Sequence, residues 1–158
     1  MRVYLIDIDG TLLLTGGAGF VALEQTFEEL FGVRDAMRTV RPAGKTDPLI
    51  VREGFRATLG RDPSERELER VLQRYVECLP AALAASERFR VLEGAREGVE
   101  KLRGAGHLLG LATGNVREAS QLKLAHGSLD GYFGFGGYGD DSADRAALHT
   151  VLQEALSD

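Results

Sequence analysis

The stretch Tyr4-Leu5-Ile6-Asp7-Ile8-Asp9-Gly10-Thr11-Leu12-Leu13 decides the fold. The apolar run from Val3 to Ile8 reads as a short buried strand. It delivers two carboxylates, Asp7 and Asp9, at its C-terminal end. Side chains two apart on a strand point the same way. Crowded carboxylates repel unless a cation or a shared proton relieves them. Gly10 then allows a sharp turn, and Thr11 adds a hydroxyl at the exit. Acids at the carboxyl end of a parallel strand sit where open α/β sheets bind their ligands.

Downstream the pattern repeats once. His107-Leu108-Leu109-Gly110-Leu111-Ala112 is a second apolar strand, and it ends in Thr113-Gly114-Asn115. A short helix from Glu93 to Arg103 precedes it, and another from Arg117 to His126 follows. Strand, helix and strand with polar groups at the carboxyl ends predict a parallel doubly wound sheet. Thr113 and the backbone N–H groups of Gly114 and Asn115 are then expected to face the same crevice as Asp7. Gly134 to Gly139 is the place for a short third strand and a glycine-rich turn, and Asp144 to Leu156 for a final helix.

Between the two strands the chain reads as helix only. Phe20, Leu23, Phe27, Leu30 and Phe31 recur at helical spacing, and Gly32 ends that helix. Pro48 is placed to start a second helix that runs through Leu59. Asp62-Pro63-Ser64-Glu65 opens a third, with Leu68, Val71, Leu72, Tyr75, Val76 and Leu79 as its buried stripe and Pro80 as its expected kink or end. Ser86 to Leu92 is the return linker. The division that follows is a sheet unit from residues 1–15 and 87–158, with a helical insert at 16–86.

Asp7-Ile8-Asp9-Gly10-Thr11-Leu12 resembles the DxDGTL signature of the haloacid dehalogenase superfamily of phosphohydrolases. Leu111-Ala112-Thr113-Gly114-Asn115 resembles its second motif, an apolar strand ending in Thr or Ser. The resemblance implies a partial doubly wound core with a helical cap of the C1 type. It implies Asp7 as the nucleophile that forms an aspartyl-phosphate and Asp9 as general acid and then base. Thr113, Gly114 and Asn115 are implied to hold phosphoryl oxygens, with Thr11 as a supporting hydroxyl. Mg²⁺ is the implied cofactor, held by Asp7, the Asp9 carbonyl and a later acid. Asp9 points to phosphoryl transfer, since relatives that expel halide need no acid for a leaving alkoxide. Gly44-Lys45-Thr46-Asp47 in the insert, with Gly-Asn after Thr113, looks most like phosphoglycolate phosphatase-like hydrolases. Lys45 is a candidate contact for an anionic substrate there, beside its reading as a surface turn lysine.

Two elements depart from the family pattern. No lysine follows the third strand, so the candidate for the cation that the resemblance implies beside the nucleophile and the phosphate is Lys123, ahead of Arg145, next to its reading as a solvated helix lysine. Gly139-Asp140-Asp141-Ser142-Ala143-Asp144 matches the string of the fourth, metal-binding element, and gives Asp140 as a third candidate ligand. Its surroundings are too glycine-rich for the strand that should precede it. The same residues therefore also read as the loop after the third strand, with Asp144 capping the final helix. The fourth strand is missing, which leads to the expectation of a C-terminally truncated chain. Its first strand would then be an exposed sheet edge able to pair with a second copy.

Composition narrows the function classes. Of the 158 residues, 44% are apolar and 27% charged, which suits a globular domain with a core. A net charge of -5 argues against nucleic acid as the main ligand. No apolar run approaches the ~18 residues of a membrane span. The single cysteine, Cys78, permits no intrachain disulfide and fits a cytoplasmic protein; it lies in a helical stripe as a small hydrophobe. His107, His126 and His149 lack the spacing of metal ligands. The expected function is hydrolysis of a small phosphorylated metabolite. A non-catalytic fragment that binds phosphate weakly and a sugar-phosphate mutase are the alternatives.

Overall fold

The protein is seen in a computed structural model that describes residues 1–141. The expected final helix, with Asp144 and Arg145, lies outside these residues. In chain order the elements begin with β1 (Val3–Ile6), β2 (Leu13–Leu14), α1 (Ala18–Phe31), α2 (Asp47–Leu59) and α3 (Glu65–Ala85). They continue with β3 (Arg90–Val91), α4 (Ala95–Gly104), β4 (Leu108–Ala112), α5 (Arg117–His126) and β5 (Phe135–Gly137).

β1, β4 and β5 form a parallel sheet in the order β1-β4-β5. Ile6 lies opposite Leu111, and Ala112 opposite Gly137. This register brings the carboxyl ends of β1 and β4 to one rim, so Asp7 and Thr113 emerge side by side. Behind the rim, Ile8, Leu12, Leu13, Val99, Leu109, Leu111, Leu124 and Leu129 form one apolar cluster. Among the described residues β1 pairs on one side only, and Val3 is exposed.

β1 stops at Ile6, two residues short of the expected end at Ile8. The reason is the turn that follows. The Ile8 carbonyl accepts the N–H groups of Thr11 (3.1 Å), Leu12 (2.9 Å) and Leu13 (3.3 Å) and so leaves the ladder.

The insert is held by its own cluster, centred on Phe27, Val51, Phe55, Val71, Tyr75 and Leu79. The rings of Phe27, Phe31 and Phe55 meet edge to face or tilted, with centroids 5.0–5.8 Å apart. α3 opens with a capping box in which Ser64 and Glu67 satisfy each other's backbone N–H. α3 does not end at Pro80 but runs on through it to Ala85. Pro80 is on the solvent side, whereas Cys78, Leu79, Ala82 and Leu83 continue the buried stripe past it. Burial of these side chains outweighs a cost of about 3 kcal/mol for the lost hydrogen bond and ring clash.

Two chain crossings join the insert to the sheet unit, and they pair as β2 and β3, antiparallel, with Leu13 opposite Val91. The return segment expected as a plain linker therefore carries a strand. Val116 and Ala119 at the start of α5 pack into the insert's cluster, so the two units share a buried seam. Among the described residues, no helix is long and apolar enough to cross a membrane.

Candidate active site

The first wall of the site is the turn after β1. Asp7 Oδ1 accepts the Ile8 N–H at 2.8 Å. Gly10 has φ 77°, in the left-handed region that glycine occupies at least cost, and its N–H donates to the Leu13 carbonyl at 2.9 Å. The chain folds back on itself here, and Asp7, Asp9 and Gly10 line a cavity of about 1030 Å³. Thr11 stays outside: it is exposed in the turn and does not line the cavity.

The second wall is the loop after β4. Thr113 and Asn115 are buried, and both line the cavity. Asn115 is the hub of a closed polar network. Its Nδ2 donates to Asp9 Oδ2 and to Thr113 Oγ1, both at 2.7 Å, and its Oδ1 accepts from Lys123 Nζ at 2.6 Å. Lys123 Nζ also donates to Asp9 Oδ1 (3.0 Å) and Oδ2 (3.1 Å). A buried ammonium must be paired and fully hydrogen-bonded. Lys123, 5% exposed, meets that demand on the second turn of α5. The Asp9 carboxylate is partly open, with 45% of its side chain exposed.

The backbone donors divide unevenly. The Asn115 N–H turns inward to Thr113 Oγ1 at 3.1 Å and is spent within the loop, unlike the expectation for it. The Gly114 N–H makes no hydrogen bond among the described residues, and Gly114 lines the cavity. Thr113 Oγ1 accepts two hydrogen bonds from Asn115 and keeps its own proton to donate.

The insert supplies the roof: Phe20, Leu23, Ile50 and Tyr75 are its apolar part, and Lys45 and Asp47 its charged part. Burial drives the Tyr75 hydroxyl well above its ordinary value, with Asp47 and Asp9 adding to the effect, so it stays a neutral phenol. Lys45 Nζ pairs with Glu53 Oε2 at 2.8 Å.

Asp47 also lines the cavity, and the sequence reading did not single it out. An acid beside Pro48 at a helix start reads as an ordinary first-turn acid. In the fold it is 7% exposed and reaches the opposite wall. Its backbone N–H donates to the Gly114 carbonyl at 2.8 Å, and its Oδ2 accepts the Val116 N–H at 2.9 Å. Burial pushes its carboxyl up to about 6, against the pull of Lys123 and the Val116 N–H; Asp9 and Asp140 push the same way as burial.

Asp140 does not line the cavity; its Oδ1 accepts the Arg117 N–H at 3.0 Å at the start of α5. Asp141 Oδ2 accepts the Tyr138 N–H at 2.8 Å. Both acids thus lie in the loop after β5, and Asp144, the expected cap of the final helix, lies outside the described residues. Among the described residues, no group of three His, Cys, Asp or Glu side chains is placed to hold a metal. Asp7 and Asp9 nevertheless offer oxygen donors alone, the chemistry that Mg²⁺ takes when one or two carboxylates are completed by water and phosphate.

Among curated proteins none matches this chain in sequence. Solved structures do match in fold. CbbY from Rhodobacter sphaeroides, solved in complex with phosphate, shares 19% identity at a TM-score of 0.75; the match covers 100% of this chain and 73% of that one. A predicted phosphoglycolate phosphatase from Haemophilus somnus shares 14% identity at a TM-score of 0.64, over 89% of this chain; it covers 63% of the Haemophilus chain, so the present sequence spans under two thirds of that protein. A haloacid dehalogenase-like family hydrolase from Streptococcus pneumoniae shares 19% identity at a TM-score of 0.59, over 99% of this chain and 70% of that one. The sequence pattern of the haloacid dehalogenase-like hydrolases matches residues 1–155. With that match along nearly its whole length, and with paired aspartates, threonine and lysine gathered at one rim of a parallel sheet, the chain belongs to the haloacid dehalogenase-like hydrolase family.

Proposed function

We propose that this chain carries the site of a Mg²⁺-dependent phosphomonoester hydrolase of the phosphoglycolate phosphatase-like kind, acting on a small phosphorylated metabolite in the cytoplasm. One observation carries the reading. Asp7, Asp9, Thr113, Gly114 and Lys123 meet across a single cavity roofed by a helical insert.

In the first step an Asp7 oxygen attacks phosphorus, the bond from phosphorus to the leaving oxygen breaks, and Asp9 gives that oxygen its proton. In the second, water attacks the phosphorus of the aspartyl-phosphate and gives a proton to Asp9, and the Asp7 carboxylate and inorganic phosphate are released. Lys123, the Thr113 hydroxyl and the Gly114 N–H are fixed donors for the charge on the transferring group. Asp7 and the Asp9 carbonyl would hold Mg²⁺, which supplies further charge neutralisation when bound. The insert acts as the cap: its Phe20, Leu23, Ile50 and Tyr75 line the cavity and keep water from the intermediate.

The test is turnover of an aryl phosphate with and without Mg²⁺, in the wild-type chain and in Asp7→Asn. Mg²⁺-dependent release of phosphate that falls to background in Asp7→Asn is the expected result. Phosphate binding without turnover in the wild-type chain overturns the catalytic reading in favour of a non-catalytic phosphate-binding domain.

A further inference from the structure

α5 begins at a residue that cannot cap it. Val116 occupies the N-cap position and has no side-chain acceptor. Helix starts leave backbone N–H groups that need partners. Here the acceptors come from elsewhere in the chain: Asp47 Oδ2 for Val116 and Asp140 Oδ1 for Arg117. The first of these crosses from the insert to the sheet unit, 69 residues away in sequence.

The seam has no slack. A Cβ on Gly114 would lie 2.2 Å from the Lys45 carbonyl oxygen, and one on Gly139 would lie 2.1 Å from the Gly114 carbonyl oxygen. Lys45, Gly114 and Gly139 are thus stacked backbone on backbone. Asp47 closes this stack with two hydrogen bonds, one on each side of Asn115: its N–H to the Gly114 carbonyl and its Oδ2 from the Val116 N–H. Thr113, Gly114 and Asn115 are therefore held from the sheet unit by Gly137 through the Thr113 N–H and by the Gly139 N–H on the Asn115 carbonyl, and from the insert by Asp47.

We propose that Asp47 is a positioning residue that sets the Thr113-Gly114-Asn115 loop, so that the loop takes its phosphoryl-binding geometry only while the insert is docked. Asp47 touches no reacting atom; it acts through the Gly114 carbonyl and the Val116 N–H. The inference rests on the phosphoryl-transfer reading of the cavity. It adds that docking of the insert and assembly of the loop are one event, coupled through a single residue, whose side chain makes one of the two hydrogen bonds.

The test compares Asp47→Ala with Asp47→Asn in the full chain. Asn keeps an oxygen acceptor for the Val116 N–H; Ala does not. Two readouts are taken: kcat and KM on an aryl phosphate, and the dissociation constant for inorganic phosphate from the Gly114 and Asn115 amide shifts. Misplacing a binding loop by about 1 Å costs up to about 100-fold in rate. Asp47→Ala is expected to lose about 10- to 100-fold in kcat and to bind phosphate at least about 10-fold more weakly, while Asp47→Asn stays within about threefold of wild type. A folded Asp47→Ala with wild-type kcat and phosphate affinity overturns the proposal, and so does an Asn variant as impaired as Ala. If the wild-type chain binds phosphate without turnover, the catalytic reading fails and the phosphate affinities alone decide the role of Asp47. If Asp47→Ala does not fold, exchange of the Val116 amide in the wild type decides: slower exchange with phosphate bound supports coupling, and unchanged exchange overturns it.

Discussion

Asp47→Asn should change how stability depends on pH, by an amount the site itself sets. The Asp47 carboxyl rises from 3.8 to about 6 on folding, chiefly because it is buried. Folded protein thus holds this proton more tightly than the unfolded chain does. The resulting stabilisation is fully present below about pH 4 and is lost as pH rises through about 6. At about 1.36 kcal/mol for each pH unit, a rise from 3.8 to about 6 is worth about 3 kcal/mol. Asparagine does not titrate, and it keeps an acceptor for the Val116 N–H. Urea unfolding of both proteins from pH 4 to 7.5 measures the effect. The stability difference, wild type minus Asp47→Asn, should fall by about 2.5 kcal/mol across that window, since the unfolded carboxyl is already about half ionised at pH 4, and be flat above it. The rest of the chain is common to both proteins, so its contributions cancel in the difference to the extent that sites are additive. A difference that stays constant from pH 4 to 7.5 would refute the claim that Asp47 is buried against Gly114 and Val116.

Other perturbations probe other parts of the fold. Gly114→Ala sets a Cβ 2.2 Å from the Lys45 carbonyl oxygen, so the insert must back away; a loss of about 2 kcal/mol in urea unfolding is expected. Lys123→Ala leaves the buried Asn115 Oδ1 without its donor and removes the cation beside Asp9; phosphate titration should show weaker binding, and unfolding a loss of about 1–3 kcal/mol. Pro80→Ala restores a backbone donor inside α3 on its solvent side, and thermal unfolding should show a gain of about 1–3 kcal/mol, reduced by the freer unfolded chain. Ser64→Ala removes the capping box, at a cost of about 1 kcal/mol by the same measurement.

Much of this was legible in the residues because the signals are local. The helix over 18–31 and its stop at Gly32 appear as read from the spacing of Phe20, Leu23, Phe27 and Phe31. The second helix, from Asp47 through Leu59, starts where Pro48 placed it and ends at Leu59 as read. The strand ending in Thr113 needed only an apolar run and its polar stop. Local signals failed where packing decides. Pro80 is a helix breaker by its own chemistry, yet α3 absorbs it because the stripe on both sides is buried against the rest of the insert. β2 and β3 are two residues each, too short for any periodicity, and exist because the outgoing and returning crossings lie side by side.

The candidate site divides along the same line. The sequence by itself determined Asp7, Asp9 and Thr113 as residues at the carboxyl ends of two strands, since alternation and strand polarity are properties of the chain. It also favoured Lys123 over Arg145 as the cation, and Lys123 lies on Asp9 and Asn115. Only the tertiary structure decided that Asn115 is a hub whose backbone N–H is spent on Thr113, that Thr11 faces solvent, and that Asp140 meets α5. It alone joined Asp47 to Val116. The physical reason is that a hydrogen bond between residues far apart in sequence leaves no trace in the spacing of either partner; it forms only when two separately packed clusters bring an orphan donor and a buried acceptor to the same seam.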